Sequence, residues 1–275
     1  MDAPLLCTVR GCDEPLQRCD RSLVCPRGHS FDVARSGYIN LLQPQDRRSR
    51  RPGDARRAIE ARAELFQAGV GQVLANAVVH ELGALSLPGT PPLIVDLGSG
   101  SGDLLAHVAR SLSVAGIGID LSTDAAELSA RRFPSLTWVV ANADRRLPVA
   151  SASVGLVLSV HARRNPLECR RVLDARGYLL IAVPAADDLI ELRAAVQGAG
   201  IPRDRADGVI AEHVGHFAVA RRTTVRETVS LDGPLLRLLL DGTYRGARTG
   251  QPARAMTLDR LDVTLASDLL LFTAR

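Results

Sequence analysis

The sequence predicts an α/β fold built on a largely parallel sheet, with a small cysteine-rich segment in front of it. Three apolar runs, 93–97, 115–119 and 137–141, each lead into a turn that carries acidic or glycine residues. The stretches between them have helical length and pattern, which gives the order strand, helix, strand. In such sheets a ligand binds outside the carboxyl ends of the strands, so we expect these three ends to converge.

The turn after the first of these strands indicates which cofactor is bound. Glycines alternate there after an acidic residue, at Asp96, Gly98, Gly100 and Gly102, whereas a dinucleotide site needs the spacing G-x-G-x-x-G. Alternating glycines let the backbone pass closely beneath a methionine and a ribose, as in S-adenosylmethionine (SAM) sites. We expect these four residues to bind SAM. The alternative is an ordinary turn between a strand and a helix.

Two more strand ends supply the other expected cofactor contacts. Asp120 ends the second strand about 20 residues after the glycine turn, where an acidic residue holds ribose hydroxyls. Asp144 follows the third strand, where we expect a side chain to contact adenine. One glycine motif is a weak signal, but three strand ends in this order favour a class I, Rossmann-like SAM-dependent methyltransferase domain.

The remaining elements follow from hydrophobic periodicity. Ile59, Ala63, Phe66 and Val70 have helical spacing and predict one amphipathic helix near 55–84. The other predictions are helices at 102–112, 123–132 and 166–173, strands at 154–159 and 177–183, and a C-terminal strand pair at 223–231 and 261–273 flanking a helix at 234–240. An antiparallel pair at the edge of a parallel sheet suits this class of fold.

Composition limits the location and the partners of the protein. The 275 residues are 46% hydrophobic, which is ample for a core, yet no window approaches the roughly 18 apolar residues of a membrane span. We expect a cytoplasmic protein without membrane contact. All 34 basic residues are arginine, and the formal charge is +4. The cluster of Arg47, Arg48, Arg50 and Arg51 is either a contact to phosphates or a solvated linker.

The cysteines are concentrated at the N-terminus. Cys7, Cys12 and Cys25, with His29, form two short knuckles whose residue types suit a tetrahedral zinc site. Cys19 is then a spare, although the even spacing of the cysteines leaves a different quartet open, as well as a cluster without metal. We divide the chain into a zinc-binding domain at 1–45, an arginine-rich linker and helix at 46–90, and a SAM-dependent methyltransferase domain at 91–275.

With these motifs in place, the chain resembles a known family. The run from Cys25 to Leu42, CPRGHSFDVARSGYINLL, is similar to the N-terminal signature of the bacterial 23S rRNA (guanine-N1)-methyltransferases. Further matches follow in the same order over nearly the whole chain: Arg48-Ser49-Arg50, Pro52-Gly53-Asp54, Ala61-Arg62, Val95-Asp96-Leu97-Gly98, Asp120-Leu121-Ser122 and Arg163-Arg164-Asn165-Pro166. The resemblance implies a zinc segment joined to a SAM-dependent domain.

The resemblance also implies a substrate. Family members methylate N1 of a guanine in a hairpin of large-subunit rRNA, and one branch gives resistance to macrolides such as tylosin. Three residues depart from the family pattern, since Gly71, Arg163 and Asp188 stand where tyrosine, proline and histidine are usual. These departures suggest a divergent member, with a small-molecule methyltransferase or a nonenzymatic RNA-binding protein as the alternatives.

Methylation of guanine N1 requires a positioned base and the loss of a proton. His161, on the loop after the fourth strand, is the candidate for accepting that proton, with a packed or solvated histidine as the alternative. Arg163 and Arg164 are candidates for contacts to the base O6 or a phosphate. A paired guanine hides N1, so an unpaired or flipped base would stack on an aromatic residue, for which Tyr38 and Tyr244 are candidates. Glu168 is expected at the surface. A homodimer would broaden the basic surface.

Overall fold

The computed structural model describes residues 3–46, 52–198, 201–202, 204–243 and 259–275. The predicted arginine cluster of Arg47, Arg48, Arg50 and Arg51 lies outside the described residues, and so does Tyr244. No helix in the described part of the chain is long and apolar enough to cross a membrane.

Eight strands form one central sheet, and three short strands form a second sheet near the N-terminus. The strands are β1 (Gln17–Cys19), β2 (Ser22–Val24), β3 (Ser30–Asp32), β4 (Ile39–Asn40), β5 (Leu93–Leu97), β6 (Ala115–Asp120), β7 (Thr137–Val140), β8 (Val154–Val160), β9 (Leu173–Pro184), β10 (Phe217–Asp232) and β11 (Arg260–Ala274). The central sheet has the order β10-β11-β9-β8-β5-β6-β7-β4. Its strands from β4 to β9 are parallel, and β11 and β10 close one edge antiparallel, which confirms the predicted α/β fold.

Helices cover this sheet and lie above its carboxyl edge. They are α1 (Arg56–Gln67), α2 (Gln72–Gly83), α3 (Asp103–Leu112), α4 (Thr123–Arg132), α5 (Pro166–Val172), α6 (Ile190–Gln197), α7 (Ala206–His213) and α8 (Gly233–Gly242). The prediction of a single helix over 55–84 is wrong. Gly69 and Gly71 adopt φ values of 94° and 85°, left-handed conformations that end α1 and turn the chain before α2.

The cysteine-rich segment is built into the central sheet. β4 pairs in parallel with β7, so that Ile39 lies beside Val139, and Leu5 forms a bridge with Val149. Leu5, Cys7 and Leu41 belong to the same buried cluster as the strands β5 and β6. Packing of the N-terminal segment is therefore continuous with the packing of the sheet.

The aromatic residues predicted to form the core are buried. Phe31, Trp138 and Phe272 are less than 10% exposed. Tyr38 packs beside Leu121 and Ala126, near α4, so the ring is placed as a packing residue rather than in the cleft between the strand ends. Glu168 is not the surface residue expected. It is 7% exposed, accepts a hydrogen bond from the Leu147 amide and pairs with Arg171.

Candidate metal centre and cofactor cleft

The four predicted metal ligands lie together. The ligand atoms of Cys7, Cys12, Cys25 and His29 all fall within 4.8 Å of one another. The Sγ atoms of Cys12 and Cys25 are 3.8 Å apart, and His29 Nδ1 is 3.4 Å from Cys7 Sγ and from Cys25 Sγ. A zinc tetrahedron with Zn–S bonds of about 2.3 Å has edges of about 3.8 Å, so the donor set and its spacing fit Zn²⁺.

Local turns place these ligands. The Cys25 amide donates to the His29 carbonyl, and the Gly28 amide donates to the Cys25 carbonyl, closing a tight turn in which Gly28 has a φ of 83°. This turn directs the thiolate and the imidazole to the same side. Cys19 is exposed on β1 and does not belong to the cluster.

A cleft of about 350 Å³ opens at the carboxyl ends of β5, β6 and β8. Its floor is the glycine turn from Gly98 to Ser101, together with Asp96 and Asp120. One wall is Val160, His161 and Ala162 at the end of β8, and α1 contributes Arg62 and Phe66 to the opposite side. The strand ends from which the sequence predicts a ligand site therefore do converge, with Asp144 as the exception, since this residue does not line the cleft.

The glycine turn needs its glycines for two different reasons. Gly98 has a φ of 71°, and a Cβ there would overlap the Cβ of Ala162. Gly102 has a φ of 79°, and a Cβ there would lie 2.6 Å from the Trp138 ring and 2.8 Å from Ser129 Oγ. The first glycine thus keeps the wall of the cleft close to the turn, and the last one lets α3 begin against the core.

Arg132 holds this turn from outside the cleft. Its guanidinium makes two hydrogen bonds of 2.6 Å to the two Asp103 carboxylate oxygens, and a third of 3.3 Å to the Ser101 carbonyl. The same guanidinium stacks 4.8 Å from the centre of the Phe133 ring. A bidentate pair with little solvent exposure fixes the start of α3, and with it the shape of the floor.

The two acidic residues of the floor differ in their partners. Asp120 Oδ2 accepts a hydrogen bond of 2.9 Å from the Gly100 amide, and Oδ1 accepts one of 2.8 Å from the Ser122 amide. Asp96 is 2% exposed, and no hydrogen bond or ion pair reaches its carboxylate within the described residues. Burial and the neighbouring Asp120 raise the pKa of Asp96 to about 8. A buried carboxyl without a partner suits a cationic ligand such as SAM, which carries a sulfonium and an ammonium group.

His161 projects from the end of β8 into the cleft. Its backbone is left-handed with a φ of 53°, its amide donates to the Ala182 carbonyl, and its Nε2 lies 2.9 Å from Ser267 Oγ. The loss of hydration in the cleft, followed by the positive charge of Arg205, lowers the pKa of His161 to about 4. His161 is exposed as a residue, so a substrate can reach it, and its lowered pKa leaves the imidazole neutral at pH 7.

The two arginines after His161 have separate environments. Arg163 has an exposed side chain and forms an ion pair of 3.4 Å with Asp144. Arg164 has a side chain that is only 7% exposed, donates 3.0 Å to the Ala162 carbonyl and lies 3.3 Å from His213 Nε2. Neither side chain lines the cleft, so the structure places Arg163 outside it on the surface and Arg164 inside the supporting loop.

Sequence reasoning did not find the contribution of α1 to the cleft. Arg62 and Phe66 face the glycine turn from this helix, and Asp54 lies beside them just before it. The spacing of Phe66 in the helical stripe was visible in the sequence, but this spacing equally suits burial in a core. Only the position of α1 over the carboxyl ends of the strands brings these side chains to the site.

Comparison with known proteins assigns both parts of the chain. Residues 6–50 match the zinc-ribbon family described as RlmA, N-terminal, and residues 94–177 match a methyltransferase domain family. The 23S rRNA (guanine(748)-N(1))-methyltransferase of Streptomyces fradiae is 36% identical over 225 residues, which cover 80% of this chain and 78% of that protein. A protein of Micromonospora griseorubida named as a 23S rRNA (guanine-N(1)-)-methyltransferase is 37% identical, with 82% and 81% covered.

A solved structure supports the fold alone. A chain of the complex between the Haloferax volcanii Trm112 methyltransferase activator and a methyltransferase superposes with a TM-score of 0.51 at 19% identity, covering 82% of this chain and 99% of that one. Together, the zinc-ribbon segment, the SAM-type cleft and relatives matched over about four fifths of the chain show that this protein belongs to the 23S rRNA (guanine-N1)-methyltransferase family.

Proposed function

We propose that this chain transfers a methyl group from SAM to N1 of a guanine in 23S rRNA. The observation that carries the proposal is the joining of two features in one packed unit, a Cys3His metal centre of the RlmA type and a cleft suited to SAM. The relatives with these names match over about four fifths of this chain. The resistance to macrolides in one branch of the family extends the proposal to antibiotic resistance.

In this proposal, different residues of the cleft contact different parts of the cofactor. Asp120 accepts hydrogen bonds from the ribose hydroxyls, because its carboxylate is already oriented by the amides of Gly100 and Ser122. The positive charge of the methionine end gives Asp96 a partner and favours its carboxylate over the protonated form that burial favours. Gly98, Gly100 and Gly102 provide the close backbone surface beneath this end of the cofactor. Asp144, beside the cleft, faces the adenine end and is oriented there by its ion pair with Arg163.

We assign the removal of the proton from guanine N1 to His161. Bound SAM supplies an electrophilic methyl group, and the nucleophilic nitrogen has to approach it in line. A neutral imidazole at the wall of the cleft accepts the N1 proton, and the contact with Ser267 holds the ring in one orientation. Arg163, exposed beside the cleft, contacts a phosphate or the guanine O6. Arg164 keeps the loop in place from inside.

Replacing His161 with asparagine is expected to lower kcat by about 100-fold or more, the usual contribution of a general base, and to leave SAM affinity unchanged. Asparagine tolerates the left-handed backbone of this position, so the loop should keep its shape. His80→Asn, at an exposed site on α2, is the matched control. An asparagine variant with wild-type kcat would exclude His161 from the reaction.

The pH profile gives a second readout for His161. Because the pKa of this residue lies below its ordinary value, the imidazole stays neutral as the pH falls through 6.5 and becomes charged only near 4. The loss of rate that His161 protonation causes should therefore appear near pH 4 in the wild type. A loss centred near pH 6.5 that disappears in His161→Asn would contradict the environment described for the ring.

The deciding experiment measures SAM binding by calorimetry and then methyl transfer from labelled SAM to unmodified large-subunit rRNA. Transfer to a guanine, mapped as a primer-extension stop and by mass spectrometry to N1, is expected. Binding without transfer to rRNA would favour a small-molecule acceptor, and a failure to bind SAM would favour a nonenzymatic RNA-binding protein. The proposal includes a cytoplasmic location and a homodimer that broadens the basic surface, and sedimentation with and without rRNA checks the dimer.

A further inference from the structure

We propose that Arg62 of α1 binds the α-carboxylate of SAM. The proposal rests on the SAM cleft described above and names the one ionic contact of the cofactor that the sequence motifs do not assign. It follows from the balance of charge in the cleft, the anchoring of this side chain and the hydrogen-bond donors that remain on it.

Among the charged residues around the cleft, Arg62 is the one suited to bind an anionic group. Of the described residues that line it, the acidic ones are Asp54, Asp96, Asp103 and Asp120, and Arg62 is the only arginine. Asp103 is paired with Arg132 outside the cleft, and Asp54 is paired with Arg62. SAM carries two positive groups and one carboxylate. Asp120 is assigned to the ribose, so Asp96 is the acidic residue that faces the positive groups, and the Arg62 guanidinium is left for the carboxylate.

The guanidinium is held in place before any ligand arrives. Arg62 Nη2 donates 2.6 Å to Asp54 Oδ2, and Nη1 donates 2.9 Å to the Gly242 carbonyl at the end of α8. Asp54 is fixed in turn, since its carbonyl accepts 2.8 Å from Ser122 Oγ. A side chain with both terminal nitrogens anchored has little rotamer entropy left to lose when it binds.

Donors remain on this side chain for a ligand. A guanidinium has five N–H groups, and the contacts with Asp54 and Gly242 use two of them. The side chain is 35% exposed, and its residue lines the cleft one helical turn before Phe66. Arginine presents its donors in a planar fork that matches a carboxylate, which a lysine cannot do.

Calorimetry with two ligands tests this contact. SAM and decarboxylated SAM, which lacks only the carboxylate, are titrated into the wild type and into Arg62→Gln. We expect the substitution to weaken SAM binding by about 10- to 100-fold, the loss typical of a hydrogen-bonded ion pair, and to leave the affinity for decarboxylated SAM within about twofold. The wild type should itself bind decarboxylated SAM more weakly than SAM.

The control variant is Arg57→Gln on the same helix. Arg57 also joins α1 to α8, through a 2.8 Å ion pair with Asp241, but it does not line the cleft. This variant should bind both ligands like the wild type. Arg62→Lys keeps the charge and loses the fork, so its SAM affinity should lie between those of the wild type and of Arg62→Gln. The lysine variant also provides the test if the glutamine variant does not fold.

The outcomes separate this contact from the cofactor site itself. An equal loss for both ligands in Arg62→Gln would mean that Arg62 only supports the helix, and unchanged SAM binding in Arg62→Gln would mean that Arg62 does not contact the ligand. Either result overturns the proposal for Arg62 and leaves the SAM cleft standing. A wild-type protein that binds neither ligand would overturn the SAM cleft as well.

Discussion

Gly98→Ala is expected to reduce SAM binding and methyl transfer by more than about 100-fold. Two costs add at this position. An alanine has to adopt a φ of 71°, which costs about 1 kcal/mol, and its Cβ would overlap the Cβ of Ala162 in the opposite wall. Relief of the overlap moves either the turn or the loop that carries His161, and both shape the cleft. Calorimetry with SAM and the rRNA transfer assay measure the loss.

Two companion variants separate the overlap from the backbone strain. Gly100 has a φ of 53°, but the nearest atom to a Cβ added there is the Gly98 carbonyl oxygen at 4.0 Å. Gly100→Ala therefore carries only the backbone strain, and its loss of SAM affinity should be much smaller. Adding Ala162→Gly to Gly98→Ala removes the overlapping methyl and should restore part of the affinity. If Gly98→Ala bound SAM as well as the wild type, the floor of the cleft would be assigned wrongly.

The glycine turn and α1 differ in how far the sequence alone predicts that their residues lie in the cleft. Asp96, Gly98 and Asp120 stand at the ends of apolar strands, and parallel strands bring such ends to one edge, so their meeting follows from topology alone. Arg62 reaches the same cleft only because α1 packs over that edge, with α8 beneath it. No periodicity in the local sequence encodes which surface a helix covers.

The errors in the predicted elements have physical reasons as well. The apolar spacing from Ile59 to Val70 continues towards α2, and the helical pattern alone gave no reason to stop, but two glycines with positive φ break it. Neither α6 nor α7 is predicted from the sequence. Each of these helices has only eight residues, too few for a clear periodic signal. Glu168 is buried because the Leu147 amide and Arg171 satisfy its carboxylate, and these partners come from the fold rather than from neighbouring sequence.

The Cys3His cluster is distant in sequence from the cleft, but the structure connects the two sites. Residues 39–46 connect the two. The Leu41 amide donates 3.0 Å to the Val140 carbonyl at the end of β7, and Asn142 Nδ2 donates 3.2 Å to the Asp46 carbonyl. The Ala141 amide donates 3.0 Å to the Asp120 carbonyl. A continuous set of hydrogen bonds, two between backbone groups and one from the Asn142 side chain, therefore runs from the N-terminal segment to the floor of the cleft.

Removing zinc is expected to unfold the N-terminal segment first and to weaken SAM binding with it. Structural zinc contributes about 10 kcal/mol or more to small domains of this kind, and the strands β1, β2 and β3 of the segment have only three residues each. Once β4 leaves β7, the strand end beside Asp120 loses its edge partner. We expect hydrogen exchange to rise over residues 3–33 on chelation, and SAM affinity to fall by about tenfold, an ordinary coupling between linked sites.

Substitutions distinguish metal loss from other effects of the chelator. Cys25→Ser should reproduce both changes, because this residue is a buried member of the cluster. Cys19→Ser should keep zinc content, exchange and SAM affinity at wild-type values, because this cysteine is exposed and outside the cluster. Unaltered exchange over residues 3–33 after chelation would refute the metal assignment. Raised exchange with unchanged SAM affinity would keep the zinc site but refute the coupling, because the contacts through Leu41 and Asn142 would then not hold the floor of the cleft.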